Sequence, residues 1–378
     1  MPLPGNSAAM IQTRKKILFL VPSFAAGVGG AERVIAILLR HLDHSRFECH
    51  LALVGEGRAF LEDVPREVTV HHLGVSRMRY CVPAIVKLSR QLKPDTILST
   101  VVFLNVMLML ARPFLPGRPR IVLREASLPS AFLSQVARNP RILKWMYGHL
   151  YPRADQIICL CDAAINDMVE HLGVSSDKLV RIYNPVDVET VRRLAEDAGS
   201  PYTGPGPHIM AMGRLQHEKA YDVLLRAFSS VLKALPQVKL TILGEGPLEA
   251  QLKRQTLELG IDQVVAFPGF QKNPWPYMKH ADLFVLASRF EGMPNALLEA
   301  LALETPVVAT DCPGGVREIQ KSVREIVLVP PENDVALAAA IVAALTKPVS
   351  GRPSSQQAAE SLSDFDLQKV VREYSQLL

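Results

Sequence analysis

Cysteine is scarce in this chain, and its placement excludes two kinds of stabilising cross-link. The 378 residues contain five cysteines, an odd number with scattered positions. Cys159 and Cys161 are close in sequence, but they lie inside an apolar run typical of a strand and lack the spacing of zinc ligands. We therefore expect neither a disulfide framework nor a structural zinc ion, and predict reduced cysteines in the core of a cytoplasmic protein.

Long apolar segments are also missing. Residues 1–16 have no apolar centre, and the apolar run 17–21 is too short for a signal peptide. The most apolar long stretch, residues 97–115, contains Asn105 and Arg112 and divides into a strand followed by a helix. We therefore expect no transmembrane helix.

The charge is unevenly divided. Residues 1–185 carry 23 Lys and Arg against 14 Asp and Glu, a net charge of +9, which leaves −4 for the remainder. A basic first half suggests an anionic partner. Aromatic residues make up only 6% of the chain and form no interleaved platform, which disfavours nucleic acid. Anionic lipid headgroups or a lipid-diphosphate acceptor fit better, and an ordinary solvated basic surface is the alternative.

Strand-like apolar runs alternate with longer helical stretches through the whole chain. This alternation predicts parallel sheets covered by helices on both faces, an α/β fold. The candidate strands are residues 17–22, 49–54, 69–73, 96–100, 120–123, 156–160 and 179–182, then 209–212, 239–243, 264–267, 283–287, 307–310 and 325–329.

A proline-rich interval divides the chain. It runs from Asn184-Pro185-Val186-Asp187 to the segment 200–207, and prolines at this density are typical of a linker. We therefore predict two Rossmann-like, doubly wound domains, residues 1–184 and 185–357, followed by a last helical segment at 358–378.

Two glutamates of the segment Arg289–Glu304 lie in different settings. Glu291 lies in a loop, whereas Glu299 is the only polar residue between Ala296 and Leu303. Asn295 is a plausible N-cap, so Glu299 is expected on a helix buried on all sides, where a carboxylate needs hydrogen-bond donors. Ribose hydroxyls could supply them, and the free amides of the helix start favour a phosphate. A sugar nucleotide contains both groups, and two surface glutamates on an ordinary helix are the alternative.

The same segment resembles the E-x7-E motif of retaining glycosyltransferases of family 4, also called group 1, which have the GT-B fold. The flanking residues 290–292 and 305–310 and the loop 313–315 agree with the motif, and the likeness is strongest from 209 to 329. The resemblance implies two Rossmann-like domains facing a central cleft, with residues 358–378 crossing back onto the first domain. It also implies sugar transfer from a nucleotide diphosphate donor to a glycan or a polyprenyl-diphosphate-linked acceptor.

Two cations follow the first strand of the second half. The sequence 213–220 is similar to the family's G-R-L-x-x-x-K-G motif, although Ala220 stands where glycine is usual. By this resemblance Arg214 and Lys219 bind the diphosphate and stabilise the charge that develops as it leaves. Together with Glu291, which would engage the donor sugar, they are the expected catalytic residues, and Glu299 would hold the ribose.

Glycine-rich turns supply the other donor-binding candidates. The loop 25–32 opens a helix, but Glu32 stands where a dinucleotide fingerprint has its third glycine. A tight turn without a ligand is the alternative for this loop. The expected donor-binding residues are Gly29, Gly30, Gly213, Gly244, Gly246, Phe270, Gln271, Gly292, Met293, Pro294 and Asn295.

Two features of the first half are candidates for the acceptor side. Arg124 and Glu125 end a predicted strand at the cleft edge, where they could contact the transferred sugar or form a plain ion pair. The stretch 138–153 mixes cations with large apolar residues. It predicts either a helix on an anionic membrane surface or a helix packed on the sheet with its cations extended to solvent.

We expect no cofactor and no obligatory metal. Asp364-Phe365-Asp366 is a literal D-x-D, but it opens a polar helix near the chain end, so helix capping explains it better than metal binding. The family's bacterial surface-polysaccharide enzymes favour a UDP-sugar donor, such as a UDP-N-acetylhexosamine. The alternatives are a GDP-mannose-type mannosyltransferase, a nicotinamide-dependent oxidoreductase, a pyridoxal-dependent phosphorylase and a non-catalytic sugar-nucleotide-binding protein.

Overall fold

The computed structural model describes residues 14–24, 29–55, 57, 61–75, 80–135, 137–346 and 360–378. Within them the chain forms two parallel sheets with intervening helices, as the alternating pattern predicted. The expected strands are all present, and their ends differ from the predicted ends by no more than two residues. The α/β doubly wound fold is therefore confirmed.

The first sheet is built from strands whose inner residues are fully buried, such as the run 17–21. Its strands pair in parallel in the order β3-β2-β1-β4-β5-β6-β7. They are β1 (Lys15–Val21), β2 (Phe47–Leu53), β3 (Thr69–His72), β4 (Thr96–Thr100), β5 (Arg120–Glu125), β6 (Gln156–Cys159) and β7 (Leu179–Arg181). The helices of this domain are α1 (Gly30–His41), α2 (Cys81–Leu92), α3 (Val102–Ala111), α4 (Pro129–Gln135), α5 (Pro140–Leu150) and α6 (Asp162–Leu172).

The second sheet repeats the arrangement with the order β10-β9-β8-β11-β12-β13. Its strands are β8 (His208–Met212), β9 (Lys239–Leu243), β10 (Val265–Gly269), β11 (Leu283–Leu286), β12 (Val307–Thr310) and β13 (Val327–Val329). Its helices are α7 (Val188–Glu196), α8 (Tyr221–Ala234), α9 (Glu249–Glu258), α10 (Trp275–His280), α11 (Asn295–Ala302), α12 (Val316–Ser322) and α13 (Asp334–Thr346).

Each sheet has one point where the strand order reverses. It lies between β1 and β4 in the first sheet and between β8 and β11 in the second. Ligands of open α/β sheets bind outside the carboxyl ends of the strands at such points. Gly29, in the described part of the loop after β1, and Arg214, in the loop after β8, are therefore placed at the expected ligand sites.

Part of the interval 184–207, which its prolines predicted as a linker, is helical. It contains α7, whose first turn is capped by the Asp187 carboxylate accepting from Thr190 N at 3.0 Å. Val191 and Ala195 of this helix are buried against neighbouring helices of the second domain. An amphipathic pattern between two proline clusters therefore outweighs the linker composition.

The last helix, α14 (Leu367–Leu377), lies against the first domain. Its Tyr374 hydroxyl accepts a hydrogen bond from Arg124 Nε at 3.1 Å, and Thr96 Oγ1 donates to the Leu378 carbonyl at 3.2 Å. Asp366 caps the helix by accepting from Lys369 N at 2.9 Å, which confirms the predicted capping for the second aspartate of the D-x-D sequence.

Residues 97–115, the most apolar long stretch, form β4, α3 and a short 3-10 turn. Among the residues that the structure describes, no helix is both long and apolar enough to span a bilayer. All five cysteines are buried and unpaired, as predicted.

Candidate active site

A cleft of about 750 Å³ lies between the two domains, and both reversal points open into it. We call it the interdomain cleft. Its lining contains most of the predicted site residues: Gly29, Gly30, Arg124, Glu125, Gly213, Arg214, Lys219, Gly244, Phe270, Gln271, Glu291, Gly292, Met293, Pro294, Asn295 and Glu299. Gly246 does not line the cleft, because it packs against the backbone of Leu215. Residues 25–28 of the glycine loop lie outside the described residues.

Glu291 and Lys219 form an ion pair within the cleft. The Lys219 ammonium donates to Glu291 Oε1 at 2.6 Å, and the Ser288 hydroxyl donates to the same oxygen at 2.5 Å. Glu291 is buried, so the nearby cation compensates a carboxylate that would otherwise be costly there. Lys219 thus holds the Glu291 side chain in place as well as placing positive charge in the cleft.

Arg214 and Glu32 occupy opposite walls of the cleft. Arg214 follows β8, and its side chain passes close to Gly29 at the start of α1. Burial raises the pKa of the Glu32 carboxyl to about 7, although Arg214 and Arg124 oppose the shift. Glu32 was absent from the sequence-based candidates. Its position directly after the glycine turn, in the first turn of a helix, was the available signal.

Glu299 lies on α11, the buried helix that the sequence predicted. Its Oε1 atom accepts from Arg33 Nη1 at 3.1 Å, whereas Oε2 is buried without a partner of normal hydrogen-bond geometry. Burial raises the pKa of this carboxyl, and the Arg33 charge and the indole N–H of Trp275 oppose the effect. Sequence reasoning missed both partners, because Arg33 and Trp275 lie on α1 and α10, and no local pattern shows that these helices meet α11.

The start of α11 differs from the expectation for Asn295. The N-cap position is Pro294, and the Asn295 side chain forms no cap. Instead, Asn295 Nδ2 donates to the Gly30 carbonyl at 3.1 Å, and its Oδ1 accepts from Asn184 Nδ2 at 2.7 Å. A Cβ atom at Gly30 would come within 2.5 Å of Asn295 Nδ2, so any larger residue at this position would displace the Asn295 side chain. Asn295 therefore ties the two domains together and leaves the first amides of α11 uncapped by its side chain.

Arg124 and Glu125 do not pair with each other. Arg124 is fully buried and donates to Asn184 Oδ1 at 2.6 Å and to Thr100 Oγ1 at 3.1 Å. Glu125 Oε2 accepts from the hydroxyls of Tyr147 and Tyr151, both at 3.0 Å. Burial raises the pKa of the Glu125 carboxyl, and these hydrogen bonds oppose the rise. The plain ion pair considered for Arg124 and Glu125 is therefore wrong, because each side chain has other partners.

Comparisons with known proteins agree with the fold. The model of glycosyltransferase family 4 matches residues 28–190, and that of glycosyl transferases group 1 matches residues 206–347. A relative from Campylobacter jejuni is 31% identical over 365 residues, which cover 93% of this chain and 96% of that protein. Its name is N-acetylgalactosamine-N,N'-diacetylbacillosaminyl-diphospho-undecaprenol 4-alpha-N-acetylgalactosaminyltransferase.

The chain belongs to glycosyltransferase family 4. Another relative of this glycosyltransferase is the lipopolysaccharide core biosynthesis glycosyltransferase LpsE of Rhizobium meliloti. It is 27% identical over 292 residues, which cover 76% of this chain and 77% of that protein.

Solved structures confirm the GT-B fold of this glycosyltransferase. HepE of Anabaena, solved in complex with UDP and glucose, has a TM-score of 0.75 at 20% identity and covers 96% of this chain and 99% of its own. Sucrose-phosphate synthase of Thermosynechococcus elongatus has a TM-score of 0.79 at 16% identity, with 96% and 98% covered. At these identities the likeness concerns the fold alone.

Proposed function

We propose that this glycosyltransferase is a retaining enzyme that transfers an N-acetylhexosamine from a UDP-sugar to a polyprenyl-diphosphate-linked glycan in surface polysaccharide biosynthesis. The observation that carries the proposal is the convergence of Arg214, Lys219, Glu291 and Glu299 in one interdomain cleft. Two cations beside two carboxylates match the diphosphate, sugar and ribose of such a donor.

The donor roles follow from the chemistry of these groups. Arg214, Lys219 and the amides at the start of α11 would bind the diphosphate, since helix N-termini and cations both favour phosphate oxygens. The ribose hydroxyls would donate to the Glu299 carboxylate, which lines the cleft. These positive groups could take the place of a metal ion, so we propose a metal-independent reaction.

The transfer step proposed here needs no separate protein base. The acceptor hydroxyl attacks the anomeric carbon on the face from which the diphosphate leaves, while the bond between that carbon and the diphosphate oxygen breaks. The acceptor proton passes to the departing diphosphate oxygen. Glu291 would stabilise the positive charge that develops on the sugar, and Arg214 and Lys219 the negative charge on the diphosphate.

The acceptor class rests on two observations. The Campylobacter jejuni relative is named for transfer to a diphospho-undecaprenol-linked sugar, and the first half of this chain carries a net charge of +9.

Helix α5 exposes Ile142 and Trp145 at 57% and 58%, beside the exposed cations Arg141 and Lys144. We propose that this face contacts the anionic cytoplasmic side of a membrane.

The experiment is a thermal-shift screen with UDP, GDP and ADP sugars, followed by turnover with a polyprenyl-diphosphate-linked acceptor. A nucleotide at one hundred times its Kd should stabilise the protein by about 2.7 kcal/mol. Donor and product with the same anomeric configuration by NMR, and turnover unaffected by EDTA, would support the proposal. A response to GDP-mannose alone would favour the mannosyltransferase alternative, and absence of nucleotide release would favour a non-catalytic binder.

A further inference from the structure

Arg33 occupies an unusual position between the two domains. It lies on α1, one turn after Gly29 and Gly30, and therefore belongs to the first domain. Its guanidinium reaches Glu299 on α11 of the second domain, with Nη1 at 3.1 Å from Oε1. The same guanidinium lies over the ring of Trp275, 4.4 Å from the centroid. Arg33 is thus clamped between an aromatic face and a carboxylate of the opposite domain.

The surroundings of Glu299 make this contact consequential. The Glu299 side chain is only 9% exposed, and its second oxygen is buried without a partner of normal geometry. A carboxylate in this setting loses most of its hydration, so it needs a cation to remain charged. Because a carboxylate has about four lone-pair sites, Arg33 and the indole N–H of Trp275 together leave sites for two ribose hydroxyls.

The other charged groups near Glu299 have partners of their own. A small cavity beside it is lined by Arg40, His41, Asp63 and Asp187. Arg40 pairs with Asp63 at 2.9 Å, and His41 lies 4.0 Å from Asp187. Burial lowers the pKa of His41, so this ring is neutral above pH 7. On the cleft side, Lys219 is paired with Glu291. Among the described residues, Arg33 is the cation that pairs with Glu299.

We propose that Arg33 is a positioning residue for the donor nucleotide, supplied by the first domain to orient and balance the carboxylate that receives the ribose in the second. The nucleotide site is then complete only when the two domains are closed on each other. This inference rests on the proposed ribose role of Glu299. It adds that nucleotide affinity depends on a residue outside the nucleotide-binding domain.

The test measures UDP affinity by calorimetry between pH 6.5 and pH 9 for the wild type, Arg33→Met, Arg33→Lys and Arg40→Met. Dividing the Kd of each variant by the Kd of the wild type at the same pH removes the effect of the titration of UDP itself. Arg33→Met should weaken UDP binding on the order of tenfold at the acid end of this range, and the loss should become smaller as the pH rises. Removing the Arg33 charge raises the pKa of the Glu299 carboxyl further, and a higher pH favours the carboxylate. Arg33→Lys should bind UDP more tightly than Arg33→Met. Arg40→Met, an equal charge change on the same helix, should have a Kd for UDP within about twofold of the wild-type value.

A Glu299→Gln background separates this inference from the proposed function. In that background Arg33→Met should not change UDP affinity further at any pH, because residue 299 then has no carboxylate to ionise. Unchanged UDP binding in Glu299→Gln would overturn the ribose role itself. The role of Arg33 alone would be overturned if Glu299→Gln binds UDP weakly while Arg33→Met binds it normally. A loss of UDP affinity in Arg33→Met that does not change with pH would have the same consequence. If Arg33→Met does not fold, Arg33→Gln takes its place with the same expected results.

Discussion

Single side chains in the cleft are placed so that opposite charges compensate each other. Lys219 neutralises buried Glu291 at 2.6 Å, and its removal would leave that carboxylate unpaired. We expect Lys219→Met to lower kcat on the order of a hundredfold or more, as loss of a preorganised charge contact does. Lys233→Met, an equal change at an exposed position of α8, is the control. Steady-state kinetics with normal turnover in Lys219→Met would remove Lys219 from the mechanism.

Glu32 gives a second prediction at this scale, concerning stability. Its pKa rises from 4.5 to about 7 on folding, so the native state binds more protons than the unfolded chain between these pH values. The contribution of Glu32 to stability therefore falls as pH rises through this window. Glu32→Gln should stabilise the protein by up to about 3 kcal/mol at pH 8 and have little effect at pH 4.

Urea unfolding at the two pH values measures this difference. Glu189→Gln, a change at an exposed glutamate in the first turn of α7, is the control and should show no such dependence. An equal effect of Glu32→Gln at pH 4 and pH 8 would contradict the assignment of the raised pKa to Glu32.

At the scale of elements, the outer face of α5 exposes two large apolar side chains beside cations. Leu143, Tyr147 and Leu150 are buried, whereas Ile142 and Trp145 face outward. We expect the double change Ile142→Ser and Trp145→Ser to reduce cosedimentation with vesicles containing phosphatidylglycerol several-fold, since the apolar contact with the interface is lost.

Two controls make the vesicle experiment specific. Val335→Ser alters an exposed apolar residue of α13 in the second domain and should leave binding unchanged. Vesicles of phosphatidylcholine alone should bind less wild-type protein, because the adjacent cations have no anionic partner. Equal vesicle binding by the double variant and the wild type would favour the alternative, in which α5 packs on the sheet and its cations are solvated.

At the scale of the molecule, a buried polar network joins the domains. Arg124 binds Asn184, Thr100 and Tyr374, and Asn184 continues to Asn295 in the second domain. Arg124→Met leaves these polar groups without their cation, so we expect a loss of about 3 kcal/mol in the free energy of unfolding. Arg120→Met, at the exposed start of the same strand, should change it by less than about 0.5 kcal/mol. Similar urea midpoints for both variants would show that the network does not stabilise the fold.

The amino-acid sequence by itself determined the strands, the helices and the local site motifs, because these follow from periodicity over a few residues. The run 17–21 is apolar throughout and forms a buried strand, and Glu299 on an apolar helix was predicted as a buried carboxylate. Only the tertiary structure decided the partners of those groups. Arg33 meets Glu299, and Asn295 meets Gly30 instead of capping its helix, because the interface brings together segments more than 260 residues apart. Such contacts depend on how two sheets face each other, and no local pattern records that.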